Sequence, residues 1–338
     1  MTKLMIDQPI NRSMTIEERV IKMNYNCYTI AVDTGKAQVK AAMTLNDEVV
    51  TLTAFPSNVV KDSTVKMDES VHIVNWEGVN YQIGDASAEL SENQLLNLDK
   101  KTVESKVCAY TAIALMMKNA GIRNGADIHL LINVPLSIFK DSNSRKAYID
   151  FYRGDVEVNV DGLNYSFTIV NVTPLFESIG YVLLQGRSLK GTDSILIDWG
   201  GLNITHCLID ADLRPVIAKS DSLMKGSHHI IGKIYMELQA SGVANLDKAS
   251  IKRIIQGKKN ASKETKALID KIAYREISNL FKDLETVLSL KEDRIRFTGG
   301  SSLLFEKYIR KYFKDHNDFE ISTNCVYDNA VGFLKIAK

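Results

Sequence analysis

Asp33-Thr34-Gly35-Lys36-Ala37-Gln38-Val39-Lys40 is the stretch on which the reading of this chain turns. Upstream, Tyr28 to Asp33 is β-branched and apolar, as a buried strand should be. Downstream, Gln38 to Leu45 alternates as a second strand, and Val49 to Phe55 continues the pattern. A strand therefore ends in a carboxylate, turns through Thr34 and Gly35, and returns. Such a turn exposes backbone N–H groups that form a nest for phosphate oxygens. Lys40 adds a point charge, and Asp33 can hold Mg²⁺ through its water shell, because that ion keeps most of its waters. Alone, the same residues also describe a plain hairpin with a surface Asp.

The pattern recurs about 165 residues later. Ile195-Leu196-Ile197-Asp198 is again an apolar strand ending in Asp, followed by Gly200-Gly201 and a returning strand, Ile204 to Ile209. A charge at the end of an apolar strand needs a partner, and a Gly pair lets backbone approach a ligand closely. A third motif, Phe297-Thr298-Gly299-Gly300-Ser301-Ser302, runs a strand into glycines and then a helix, whose unpaired N–H groups and dipole favour an anion. By itself it is also an ordinary strand-to-helix turn with Ser302 as N-cap. A repeated strand-Asp-Gly-strand unit points to internal duplication.

Between the motifs, Asn75 to Asn80 reads as a hairpin returning through Tyr81 to Gly84. Thr102 caps a helix that stops at Gly121, and His129 to Val134 is a strand ending at Pro135. Asp161-Gly162 marks another hairpin, and Glu177 opens a short helix through Tyr181 and Leu184. The second half places helices at 228–241, 247–256 and 262–289, and one more from Ser302. Residues 1–26, with one short amphipathic stretch from Ile16 to Met23, read as an extension outside the core.

The chain has 338 residues, more than one hydrophobic core usually covers, so two domains are expected. Lys plus Arg is 42 against 41 Asp plus Glu, a net charge of +1 that gives no field to attract nucleic acid or anionic lipid. The longest uncharged stretch, Gly162 to Phe176, is too short and too polar to span a membrane, and no signal-peptide h-region opens the chain. Cys27, Cys108, Cys207 and Cys325 lie far apart without a CxxC pair, which excludes a zinc ribbon and fits a reducing cytosol.

The three motifs in this order resemble the actin-like ATPase superfamily. Asp33 to Lys40 matches its first phosphate loop, Asp198 to Thr205 its second, and Phe297 to Ser302 its adenosine loop. Ile132-Asn133-Val134-Pro135-Leu136 and Val172-Thr173-Pro174-Leu175-Phe176-Glu177-Ser178 look most like the ParM (StbA) plasmid-segregation actins, and Asp328 to Phe333 resembles the family's second connecting helix. The resemblance covers about residues 28–337 and implies an α/β, actin-like (ribonuclease H-like) fold of two related domains with a nucleotide cleft between them. Domain I would span 27–190, with 326–338 packing back on it, and domain II 191–325.

The same resemblance implies bound ATP, with GTP the alternative, and Mg²⁺ held between Asp33 and Asp198. Nucleotide contacts fall to Thr34, Gly35, Lys36, Lys40, Gly200, Gly201, Asn203, Gly299, Gly300 and Ser301. Gly226-Ser227 precedes a helix and would place its N–H groups by the ribose, with Lys233 and Glu237 one helical turn apart near the adenosine. Lys36 and Asn203 depart from the family's Ser or Thr, yet both still donate hydrogen bonds. Glu177 would polarise the attacking water, since phosphoryl transfer needs mainly positioning and charge compensation. Implied further are nucleotide-dependent filaments in a bacterial cytoplasm, a centromere-binding adaptor protein as partner, indirect contact with plasmid DNA, and no membrane. The rival reading is a monomeric sugar or acyl kinase or phosphatase of the superfamily, which would need a second pocket with a catalytic Asp.

Two further features stand apart from the three motifs. His228-His229 lacks a third ligand and reads as surface or nucleotide edge rather than a metal site. Asp247 to Lys271 carries eight Lys or Arg against three acids and reads as a solvated helix face before a filament or adaptor contact.

Overall fold

The computed structural model describes residues 27–45, 48–63, 70–84 and 101–337, so the expected extension 1–26 lies outside the described residues. The first half runs β1 (Cys27–Thr34), β2 (Gln38–Leu45), β3 (Glu48–Pro56), β4 (Val59–Lys61), β5 (His72–Trp76), β6 (Val79–Ile83) and α1 (Val103–Ala120). It continues with β7 (Ala126–Val134), α2 (Leu136–Lys140), α3 (Ser142–Tyr152), β8 (Gly154–Val160), β9 (Leu163–Phe176) and α4 (Ile179–Leu189). The second half runs β10 (Ser194–Trp199), β11 (Ile204–Ile209), β12 (Pro215–Leu223), α5 (Ser227–Ser241), α6 (Lys248–Ile255) and α7 (Lys263–Glu285). Then come β13 (Arg294–Thr298), α8 (Gly300–Leu304), α9 (Glu306–Tyr312), β14 (Phe319–Ile321) and α10 (Asp328–Phe333). No described helix is long and apolar enough to cross a membrane.

The described strands form two sheets, ordered β3-β2-β1-β7-β9-β8-β5-β6-β4 and β12-β11-β10-β13-β14. β1 pairs antiparallel with β2 and parallel with β7, as β10 does with β11 and β13. Outward from these pairs, β2–β3 and β11–β12 are antiparallel, while β7–β9 and β13–β14 are parallel. The run β3-β2-β1-β7-β9 therefore recurs, direction for direction, in the second sheet. The duplication legible in the two strand-Asp-Gly motifs is a duplication of topology.

Alternation along the central strands divides the cores, because successive side chains of a strand face opposite sides of a sheet. Ile30 and Val32 pack into one cluster with α1, whereas Ala31 faces Ala330 and Phe333 of α10. On β10, Ile195, Ile197 and Trp199 join α5 and α7, while Leu196 meets Tyr181 and Val182 of α4. Helices α4 and α10 thus lie between the sheets. They cross at two glycines: a Cβ on Gly332 would collide with the backbone of Gly180, and one on Gly180 would lie 2.6 Å from Asp328 O.

Several elements differ from the sequence reading. Glu177 does not open a helix; its N–H bonds Val134 O at 3.1 Å, prolonging the β7–β9 ladder, and α4 begins at Ile179 after a left-handed Ser178 with φ 81°. Ser302 is not an N-cap. Gly299, at φ 82°, turns the chain early enough for α8 to start at Gly300, and Ser302 Oγ donates back to Thr298 O at 2.6 Å. α7 stops at Glu285 rather than 289, where Thr286 Oγ1 bonds Asp283 O. β12 has no counterpart in the sequence pattern, since its Lys219-Ser220-Asp221-Ser222 run is a mostly exposed edge without apolar alternation.

Candidate functional site

The two strand-end carboxylates are fixed from different directions. Asp33 faces Lys40 across the β1–β2 rung, with Nζ 3.3 Å from Oδ2. Its Oδ1 accepts from Asn133 Nδ2 at 2.7 Å, and Asn133 Oδ1 in turn accepts from the N–H and the hydroxyl of Thr34 at 2.8 and 3.0 Å. Gly35 is needed here, since a Cβ would stand 2.9 Å from Lys40 Nζ and 2.6 Å from Gln38 O.

Asp198 lies opposite Thr205 on β11 and beside Thr298 on β13. Its Oδ2 accepts from Asn329 Nδ2 at 3.0 Å and from Ser178 Oγ at 3.3 Å. Burial, then Asp33, and more weakly Glu177, push its carboxyl up to about 6 against the pull of Asn329 and Lys40. Asp33, Glu177 and Asp198 therefore converge on one region, where Lys40 pairs with Asp33.

The turns interlock around them. Ser301 Oγ donates to Gly200 O at 2.7 Å, joining the third motif to the second. A Cβ on Gly201 would stand 2.5 Å from Ala37 Cβ, so the first and second loops meet, methyl against glycine. The N–H groups of Gly226, Ser227 and His228 bond Leu202 O, Gly200 O and Gly201 O at 2.9, 3.2 and 2.9 Å. They buttress the second loop and are not turned to a ligand, contrary to the expectation for Gly226. Asn203 Nδ2 is likewise engaged, with Ser222 Oγ at 2.8 Å.

These features enclose a cleft of about 1380 Å³, wider than the ~300–1,000 Å³ of most small-molecule sites. Asp33, Gly35, Lys36, Lys40, Glu177 and Asp198 line it, as do Gly200, Gly201, Asn203, Gly299, Gly300 and Ser301. Thr34 and Gly226 sit behind that wall. Residues 31–180 match the family model described as the actin-like proteins' N-terminal domain.

The chain has the actin-like fold. An archaeal actin homologue aligns with a TM-score of 0.71 at 15% identity over 92% of this chain and 98% of its own. A ParM filament protein from Clostridium botulinum aligns at 0.69 and 21%, covering 92% and 99%. The apo pSK41 ParM protein aligns at 0.66 and 16%, covering 92% and 97%. Among curated proteins no sequence matches.

Two expected residues stand outside the cleft wall. Lys233 and Glu237 do not line it; Glu237 is paired with Arg275 of α7. The basic segment after Asp247 is not simply a solvated face, because Lys252, Gln256 and Lys258 form part of the cleft wall. His228 lies there too, its imidazole pushed down by desolvation and by Lys252 and Lys248. Asn133, Ser178 and Asn329 lie within the quoted motif stretches, which gave none of them a role. Asn133 alone left a signal, an amide within the otherwise apolar Leu130 to Val134.

The donor set suits Mg²⁺. Mg²⁺ keeps most of its waters and binds through one or two carboxylates plus phosphates, which Asp33 and Asp198 could supply on the protein side. Repulsion among Asp33, Glu177 and Asp198 is what a cation relieves, and the buried Asn329 Oδ1 has no partner among the described residues.

Proposed function

We propose that the chain is a filament-forming actin-like ATPase that binds Mg-ATP between its two phosphate loops and moves plasmid DNA apart. The observation that carries this reading is the pair of strand-end carboxylates, Asp33 and Asp198, on two topologically equivalent sheets whose loops touch at Ala37 and Gly201. The lobes would be 27–190 with the returning 326–338, and 191–325.

On this reading the loop N–H groups cradle phosphate oxygens, Lys36 and Lys40 offset their charge, and Gly299 to Ser301 face the adenosine. Bound Mg²⁺ supplies charge neutralisation, with Asp33 and Asp198 as its protein-side partners through water. Glu177, directed from the β9 turn into the cleft, orients the lytic water. Closure with ATP favours self-assembly, and hydrolysis loosens it. The DNA would be reached in the bacterial cytoplasm through an adaptor bound to a centromere-like site.

The test is sedimentation and light scattering with Mg-ATP, a slowly hydrolysed analogue, and Mg-ADP. Filaments with the first two and few with the third are expected. No assembly in any of them, together with phosphate transfer to a small polyol or acyl acid, would establish the kinase reading. The breadth of the cleft leaves room for that second substrate.

A further inference from the structure

Asp198 belongs to the second sheet, yet both side-chain donors on its Oδ2 come from beyond that sheet. Ser178 follows β9 of the first sheet, and Asn329 lies on α10, whose Ala330 and Phe333 pack with Ala31, Ala42 and Leu131 of the first sheet. Asp33 offers the contrast, since Lys40 and Asn133 are both on strands of its own sheet. Ser178 is fully buried at φ 81°, a conformation a non-glycine residue keeps only where its surroundings fix it. It occupies the N-cap position of α4 but makes no cap bond. A serine there normally caps the helix; this hydroxyl is directed to Asp198 instead. Next to Asn329, Asp328 Oδ2 accepts from Thr298 Oγ1 of the second sheet at 2.6 Å, a further bond between the halves.

We propose that Ser178 and Asn329 form a two-donor clasp on Asp198 that ties the aim of Glu177 to closure of the cleft. The inference rests on the nucleotide reading above. Ser178 is bonded directly to Glu177, so anchoring its hydroxyl on Asp198 fixes the direction in which the Glu177 side chain leaves the backbone. The donors stand at the start of α4 and on α10, the helices between the sheets, and the acceptor stands on the second sheet. An opening that carries those helices away from β10 therefore breaks both bonds and leaves Glu177 without its reference to the metal-side carboxylate. Ser178 and Asn329 are positioning residues, and the turn they hold is ordered for hydrolysis only when the cleft is shut.

The test uses the full chain with Ser178→Ala, Ser178→Gly and Asn329→Ala. In nucleotide-free protein, hydrogen exchange of residues 176–182 and 326–333 should quicken ~10–100-fold, the opening expected when a hydrogen bond to a charged group is lost. Ser178→Gly, which suits the positive φ, should behave like Ser178→Ala if the hydroxyl rather than backbone strain is responsible. With Mg-ATP, phosphate release should fall ~10–100-fold while ATP affinity stays within about threefold, as for other groups that orient a metal-side ligand. Wild-type exchange and turnover in all three variants would overturn the clasp, as would equal losses of affinity, turnover and melting temperature. If the wild-type chain binds no Mg-ATP, the nucleotide reading fails, while the exchange result still decides the clasp.

Discussion

Gly332→Ala should force apart the two helices that join the halves. A Cβ at this position would stand 2.5 Å from Gly180 Cα and closer still to Gly180 C and O. Carbon atoms prefer ~3.5–4.0 Å, so the crossing must widen by roughly 1–1.5 Å. Backbone blocks backbone here, and no rotamer change relieves it. Overpacking of this kind costs ~1–3 kcal/mol, offset only slightly by alanine's better helix propensity. The same shift reaches Asn329, one helical turn away, and would lengthen its 3.0 Å bond to Asp198 past hydrogen-bonding range. Gly232→Ala is the control: it sits within α5, where a Cβ would meet nothing within 4 Å, and should be neutral or stabilise by ~0.5–1 kcal/mol. Urea unfolding and Mg-ATP titration of both variants give the comparison. If Gly332→Ala matches Gly232→Ala in stability and in affinity, the tight crossing drawn here is wrong.

Asp33→Asn and Asp198→Asn keep shape while removing charge. Each should weaken Mg-dependent ATP binding ~10–100-fold by calorimetry, with binding in EDTA little changed; equal loss in both conditions would point to misfolding rather than a metal role. Glu177→Ala should cut phosphate release ~10²–10⁴-fold yet leave pelleting with ATP intact, and Glu177→Gln should retain slow turnover. Wild-type release in Glu177→Ala would end that assignment. His206 is buried, its Nδ1 lacks a partner among the described residues, and desolvation lowers its pKa despite Asp221 and the Lys219 backbone. The unfolded chain, near 6.5, therefore takes up that proton first as pH falls. Stability from His206 is whole above about 6.5 and declines below it, so His206→Gln should flatten the wild-type loss of urea midpoint between about pH 6.5 and 5. Parallel midpoint curves for the two proteins would refute this.

The central strands were legible because burial on both faces demands continuous apolar runs, as in Ile30 to Val32 and Ile195 to Ile197, and because a terminal Asp and a glycine punctuate them. Thr102 and Gly121 marked both ends of α1, where the structure shows the expected side-chain cap and left-handed C-cap. Edge and satellite elements were not legible. β14 is three residues long, and α3 buries only Tyr148 and Tyr152. The floor of the site was hidden for another reason: Asn329 meets Asp198 across 131 positions of sequence, and no local pattern encodes that meeting. Gly226 misled because a glycine before a helix signals accessible N–H groups, whereas here neighbouring carbonyls take them.

β7 and β13 are equivalent strands, yet the chain leaves them through different residues. After β13 the chain continues through Gly299 and Gly300, but after β7 it continues through Pro135, which offers no N–H, and Leu136. Two halves of one pedigree thus enclose a site that is symmetric in its strands and asymmetric in what lies just past them. Both exits lead into a helix, α2 at Leu136 and α8 at Gly300, and both line the cleft, but only the second opens on glycines. The two walls thus match in their strands and differ just past them, a proline closing one and two glycines the other.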